Sequence, residues 1–137
     1  MWWLALLSMG SNPPDGIKPN CRGSTLEINA CLQDRLDRSQ TRLERYIQAA
    51  IDRHTDADGK IDPVVLGIQS SQAAFEAYRG IECDSVYEEW KQGTIRDAMS
   101  LNCRMKLTDE RAHVVWRNWL QFMDSTPPIL PEPKATE

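Results

Sequence analysis

The side chains best equipped for chemistry are four cysteines, Cys21, Cys31, Cys83 and Cys103, and two histidines, His54 and His113. A cysteine can act as a thiolate nucleophile, a metal ligand or half of a disulfide. Structural zinc sites favour cysteines two to four residues apart, and no two cysteines here are closer than ten. The Cys-x-x-Cys-His run of haem attachment does not occur. No Ser/His/Asp or Cys/His set emerges either: His54 falls in a turn and His113 on a helix beside Trp116. An even number of cysteines behind an export-like start points to two disulfides in an oxidising compartment, and four cysteines permit three connectivities. Oxidised cysteines are not nucleophiles, so contact rather than catalysis is expected, with no cofactor and no metal.

One acidic stretch competes with that expectation. Asp56-x-Asp58-Gly59-x-Ile61-Asp62 has the look of an EF-hand calcium loop. In that frame His54 replaces the first Asp and Val65 replaces the bidentate Glu at the twelfth position. Losing both end ligands removes most of the charge such a site needs, and a polar turn between helices explains the same residues.

The elements around these residues have helical period. Ile28, Leu32, Leu36, Leu43, Ile47 and Ile51 recur at steps of four or seven, and Ser24 or Thr25 can cap the start of that run, Glu27 completing a capping box with Ser24. A second helix is expected from Pro63 to about Lys91, with Val65, Ile68, Phe75, Tyr78, Val86 and Trp90 among its apolar positions. Gln92-Gly93-Thr94 supplies a stop and a new cap. A third follows through Ile95, Met99, Met105, Val115, Trp119 and Phe122, and Thr108-Asp109-Glu110 offers an optional restart as a separate fourth helix. The aromatics Trp90, Trp116, Trp119 and Phe122 fall at helical spacing and are expected to fill a core rather than form a binding stripe, although Trp90, near the Gly93 turn, can be exposed. No stretch reads as a strand. The fold class is therefore all-α, a small antiparallel bundle of three to four helices stapled by two disulfides.

This hairpin gives the cysteines a geometry. Cys83 lies ten residues before Gly93 and Cys103 ten after it, so each stands about 15 Å from the turn at about 1.5 Å per residue. Helix axes about 8–10 Å apart bring inward-facing cysteines within bridging reach. Cys21 precedes the first helix by a stretch able to fold back on Cys31. The expected pairing is Cys21–Cys31 and Cys83–Cys103.

Length and charge set the outer bounds. With 137 residues there is room for one modest core. A net charge of −4 disfavours nucleic acid, and no apolar run of membrane-spanning length occurs. Residues 1–10 resemble a signal-peptide remnant that lacks an early basic residue, and residues 11–20, rich in proline, an extended leader. The helical domain is expected at 21–124, followed by a proline-rich flexible tail at 125–137.

Three motifs in order resemble the LprI-like lysozyme-inhibitor domain of secreted bacterial proteins. They are Cys21 with Thr25-Leu26-Glu27-Ile28-Asn29-Ala30-Cys31-Leu32, the run Ser71–Cys83 containing Phe75, where the family often has Trp, and Gly93-Thr94-Ile95 leading to Cys103 and Leu107-Thr108-Asp109-Glu110-Arg111. The likeness spans about residues 21–122; the charged insert around Asp56–Asp62 is not part of it. The resemblance implies a helical, disulfide-bonded, periplasmic or secreted domain without a catalytic centre, some members of which inhibit lysozyme. Partners are then lysozyme or another envelope protein, the second being the choice for a structural or adaptor module. Within the motifs, Glu27, Arg79, Glu82 and Arg111 are expected to tie the helices as a polar network or to present a polar binding surface.

Overall fold

Ser24 opens the first helix as expected. Its Oγ accepts the Glu27 N–H at 3.3 Å, while Glu27 Oε2 accepts the Ser24 N–H at 2.7 Å. The box closes because the preceding chain turns sharply: Gly23 has φ +127°, and a Cβ there would strike the Glu27 carboxylate. From this cap α1 runs Thr25–Arg53, α2 Pro63–Trp90 and α3 Arg96–Val115, and a single π-helical turn, Trp116–Leu120, prolongs α3. The computed structural model describes residues 21–136, so the signal-peptide remnant and the leader expected at 1–10 and 11–20 lie outside the described residues.

The helices run up, down and up. Gln40 meets Arg79, Cys83 meets Cys103, Ser39 meets Asp109 and Arg53 reaches the Trp119 carbonyl, so α2 is antiparallel to both neighbours. The disulfides are Cys21–Cys31 and Cys83–Cys103, with Cα separations of 5.5 and 5.6 Å. Among the described residues there is no strand, and one isolated bridge joins Thr55 to Ile61. Below it Asp56 Oδ1 accepts the N–H groups of Asp58 and Lys60, and Asp62 Oδ1 accepts that of Val64 to cap α2 ahead of Pro63. These carboxylates fold the turn.

The core gathers towards the end of the bundle where α1 finishes: Leu43, Tyr46 and Ala50 pack with Ile68, Ala112, Val115 and Leu120. Four details depart from expectation. On α1 the buried line is Leu32, Ser39, Leu43, Tyr46 and Ala50, while Ile28, Leu36, Ile47 and Ile51 are half-buried. The strip turns towards α3, where Ser39 finds Asp109 as a partner, and the Tyr46 hydroxyl is satisfied by the Pro131 carbonyl. Tyr78, one of the apolar positions of α2, is exposed, while Trp90 takes the exposed position that its place near the Gly93 turn allows. Thr94 does not cap α3, whose N-cap is Ile95; Arg96 instead bonds the Gly93 carbonyl and the Tyr87 hydroxyl across the turn. Nor does α3 restart at Thr108, which is fully buried and donates its hydroxyl to the Arg104 carbonyl while accepting from Arg79. With both roles filled, the threonine has no need to break the helix.

The proline-rich segment is extended, as its composition dictates, but it lies against α1 and α3 instead of trailing free. Its carbonyls answer donors that the helices would otherwise leave to water.

Because Cys83 is wholly buried at the α2–α3 contact, replacing Cys83 and Cys103 by Ser should lower stability by about 2–4 kcal/mol. Urea unfolding of the oxidised protein and the double variant checks this; equal midpoints would contradict it.

Candidate functional site

The four residues expected to form one network do not meet as one. Glu27 serves the α1 cap, thirteen residues before Gln40, a span of about 20 Å along a helix. Glu82 is exposed, and among the described residues no ion pair joins it to Arg79. Arg79 and Arg111 do share a seam. Arg79 donates to Gln40 Oε1 at 2.6 Å and Thr108 Oγ1 at 2.8 Å, linking all three helices. Arg111 donates to Gln72 Oε1 at 3.1 Å and Ser71 Oγ at 3.0 Å. Their guanidinium carbons lie 5.4 and 5.8 Å from the centre of the Phe75 ring, a favourable placement of cations over a π face. Burial lowers both pKa values from the ordinary arginine value; on Arg79 the nearby Glu76 opposes this and Arg104 adds to it. Arginine keeps its proton regardless, so the seam stays cationic.

Sequence reasoning missed a second polar centre. Asp109 Oδ1 accepts from Ser39 Oγ, from Arg42 Nη2 at 2.8 Å and from Thr136 Oγ1 at 2.7 Å, and Oδ2 accepts the Thr136 N–H at 2.7 Å. Its side chain is only 13% exposed. Asp109 offered an optional helix restart; it binds α1 and the C-terminal segment to α3 instead.

The surface best suited to contact is the outer side of α2. Ile81 is 71% exposed, more than any other described large apolar residue of this helix. Helical spacing puts it beside Tyr78, Glu82, Asp84, Ser85 and Glu88, all exposed. Residues 76–89 hold five carboxylates and a single cation, Arg79, which faces the seam. Three of these acids have cationic neighbours: Glu76 lies near Arg79, Asp84 Oδ1 lies 2.5 Å from Arg104 Nη2, and Glu88 Oε2 lies 3.1 Å from Lys91 Nζ. An open groove lined by Ile81, Asp84, Ser85, Tyr87 and Glu88 runs along this side. Behind it the Cys83–Cys103 bridge, the Ser100 Oγ to Cys83 carbonyl bond at 3.2 Å and the Arg104–Asp84 pair fix α2 to α3. Ile81 falls off the apolar stripe of α2, and that misfit was the available sequence signal.

Fold and surface together define a small, disulfide-stapled helical module built to present a rigid acidic face. No group of three or more metal-ligating side chains is found among the described residues, and no described helix is long and apolar enough to cross a membrane. Residues 19–114 match the family model described as lysozyme inhibitor LprI, and the chain belongs to that family. No curated protein and no solved structure matches the chain.

Removing the Asp109 carboxylate leaves Arg42, Ser39 and Thr136 short of an acceptor. Asp109→Ala should therefore cost about 1–3 kcal/mol, measured by urea unfolding. An unchanged midpoint would show that the cluster contributes nothing net.

Proposed function

We propose that the protein is an exported, non-enzymatic inhibitor that binds lysozyme through the outer face of α2. The observation that carries this reading is Ile81, exposed in a collar of carboxylates on a helix locked by a disulfide. Lysozyme is cationic, so an acidic collar would speed encounter by long-range attraction, and salt would slow it. Once the partners touch, an apolar side chain inside a polar rim supplies the dehydrated centre on which affinity usually depends. Membership of an inhibitor family supports the same partner, and two disulfides suit an oxidising compartment outside the cytoplasm.

Purified oxidised protein should suppress lysis of a cell-wall suspension by lysozyme, and calorimetry should show binding that weakens with salt. Ile81→Ser, at a site too exposed to matter for folding, should weaken binding by about tenfold. Glu82→Lys together with Glu89→Lys should slow association more than it speeds dissociation. Undiminished lysis at saturating protein would end the inhibitor reading; unaltered binding by Ile81→Ser would move the contact elsewhere.

A further inference from the structure

After Leu120 the chain leaves the bundle and returns. Residues 123–128 are exposed throughout, whereas residues 129–136 lie along α1 and α3. Trp116 Nε1 donates to the Leu130 carbonyl at 2.9 Å, the Tyr46 hydroxyl to the Pro131 carbonyl at 2.5 Å, and Arg42 to the Lys134 carbonyl. Asp109 accepts the Thr136 N–H, and His113 Nε2 lies 2.9 Å from Glu132 Oε1. The Leu130 side chain packs against the core cluster. Pro131, Glu132 and Lys134 remain exposed.

The helices thus hold this strap mostly by its main chain, with one apolar anchor. Tryptophan and tyrosine donors aimed at the carbonyls of an extended, proline-bearing peptide are a general way to recognise such segments, because proline has already removed much of the ordering cost. The recognised groups are common to any chain of that conformation, and beyond the exposed link at 123–128 the strap is held by the contacts of residues 129–136, the Ile129 N–H to Leu120 carbonyl bond at 2.8 Å and the Leu130 packing included. The geometry points to the groove between α1 and α3 as a binding site for an extended peptide of a partner polypeptide, of the pattern apolar–Pro–acidic–Pro. Residues 129–136 occupy it as a resident ligand. The site uses no residue of the outer α2 face, so it stands or falls separately from lysozyme binding.

The tether gives the strap an effective concentration on the order of millimolar, so a free peptide competes poorly until the strap is weakened. The test uses the full chain and a fluorescein-labelled peptide with the sequence of residues 126–136, followed by anisotropy. Leu130→Ser should raise peptide affinity at least tenfold over the unaltered chain, and adding Tyr46→Phe should reduce it again several-fold. A Leu130→Ser chain that is folded by circular dichroism, exchanges its Thr136 amide rapidly and still ignores the peptide overturns the proposal. If Leu130→Ser misfolds or keeps its strap docked, the full chain carrying Pro131→Gly and Pro133→Gly, which touches no buried side chain, is measured for the same two outcomes.

Discussion

The attachment of α2 governs the rest of the molecule. Of its 28 residues only Val65, Ile68 and Cys83 are buried, too little apolar area to hold a helix of that length by burial alone. Its other ties are directional. The Cys83–Cys103 bridge fixes one level, the Arg104–Asp84 pair lies next to it, and Arg79 and Arg111 bind further along through hydroxyl and amide oxygens. The inward face of α2 is a narrow line through Val65, Ile68, Phe75, Arg79 and Cys83, and Ile81 falls outside it, towards solvent. The disulfide therefore helps to hold the outer side of α2 in place, besides its effect on the unfolded chain.

Polar chemistry in the interior follows the same logic. Arg79 and Arg111 both lie against the Phe75 ring, and each donates to neutral oxygens rather than to a carboxylate. Desolvating a neutral acceptor costs less than desolvating an anion, so the seam can be partly buried without the penalty of a buried ion pair. The carboxylates of α2 are left to the solvent side, where they add to a net charge of −4 and to long-range attraction for a cation. The Arg42–Asp109 ion pair between α1 and α3, partly buried, is satisfied on several sides by hydroxyl and main-chain partners.

What the sequence made legible was local or fixed by helical rise. Ser24 and Glu27 are three residues apart and announce their cap; Cys83 and Cys103 flank Gly93 equally, and a constant rise per residue sets them level. The family motifs added order to these signals. Asp109 was illegible because its partners lie 70 and 67 residues away on α1 and 27 residues away beyond α3. An Asp after a Thr in a helical run looks like a cap until tertiary neighbours claim both side chains. The candidate surface was hidden for another reason: apolar periodicity finds what is buried, and Ile81 matters by being out of phase. Glu27 and Glu82 drew attention by sitting in motifs, yet one closes a cap and the other faces water.

The strap shows how a short chain uses its last residues. A three-helix core of this size leaves the outer edges of Tyr46 and Trp116 and the head of Arg42 as donors on an apolar border, where water serves them poorly. Prolines 127, 128, 131 and 133 let the returning segment supply carbonyls with little further entropy to lose. Such closure is intrinsically replaceable, since the groove gains the same bonds from any chain presenting the same backbone. Linkage then makes strap and partner exclusive: the tighter the strap, the higher the threshold a partner must exceed. The acidic face carries no such tax, because none of the described residues covers Ile81 and its neighbours. Two neighbouring surfaces of one small bundle therefore differ in kind, one exposed by a covalent anchor and one closed by a reversible contact.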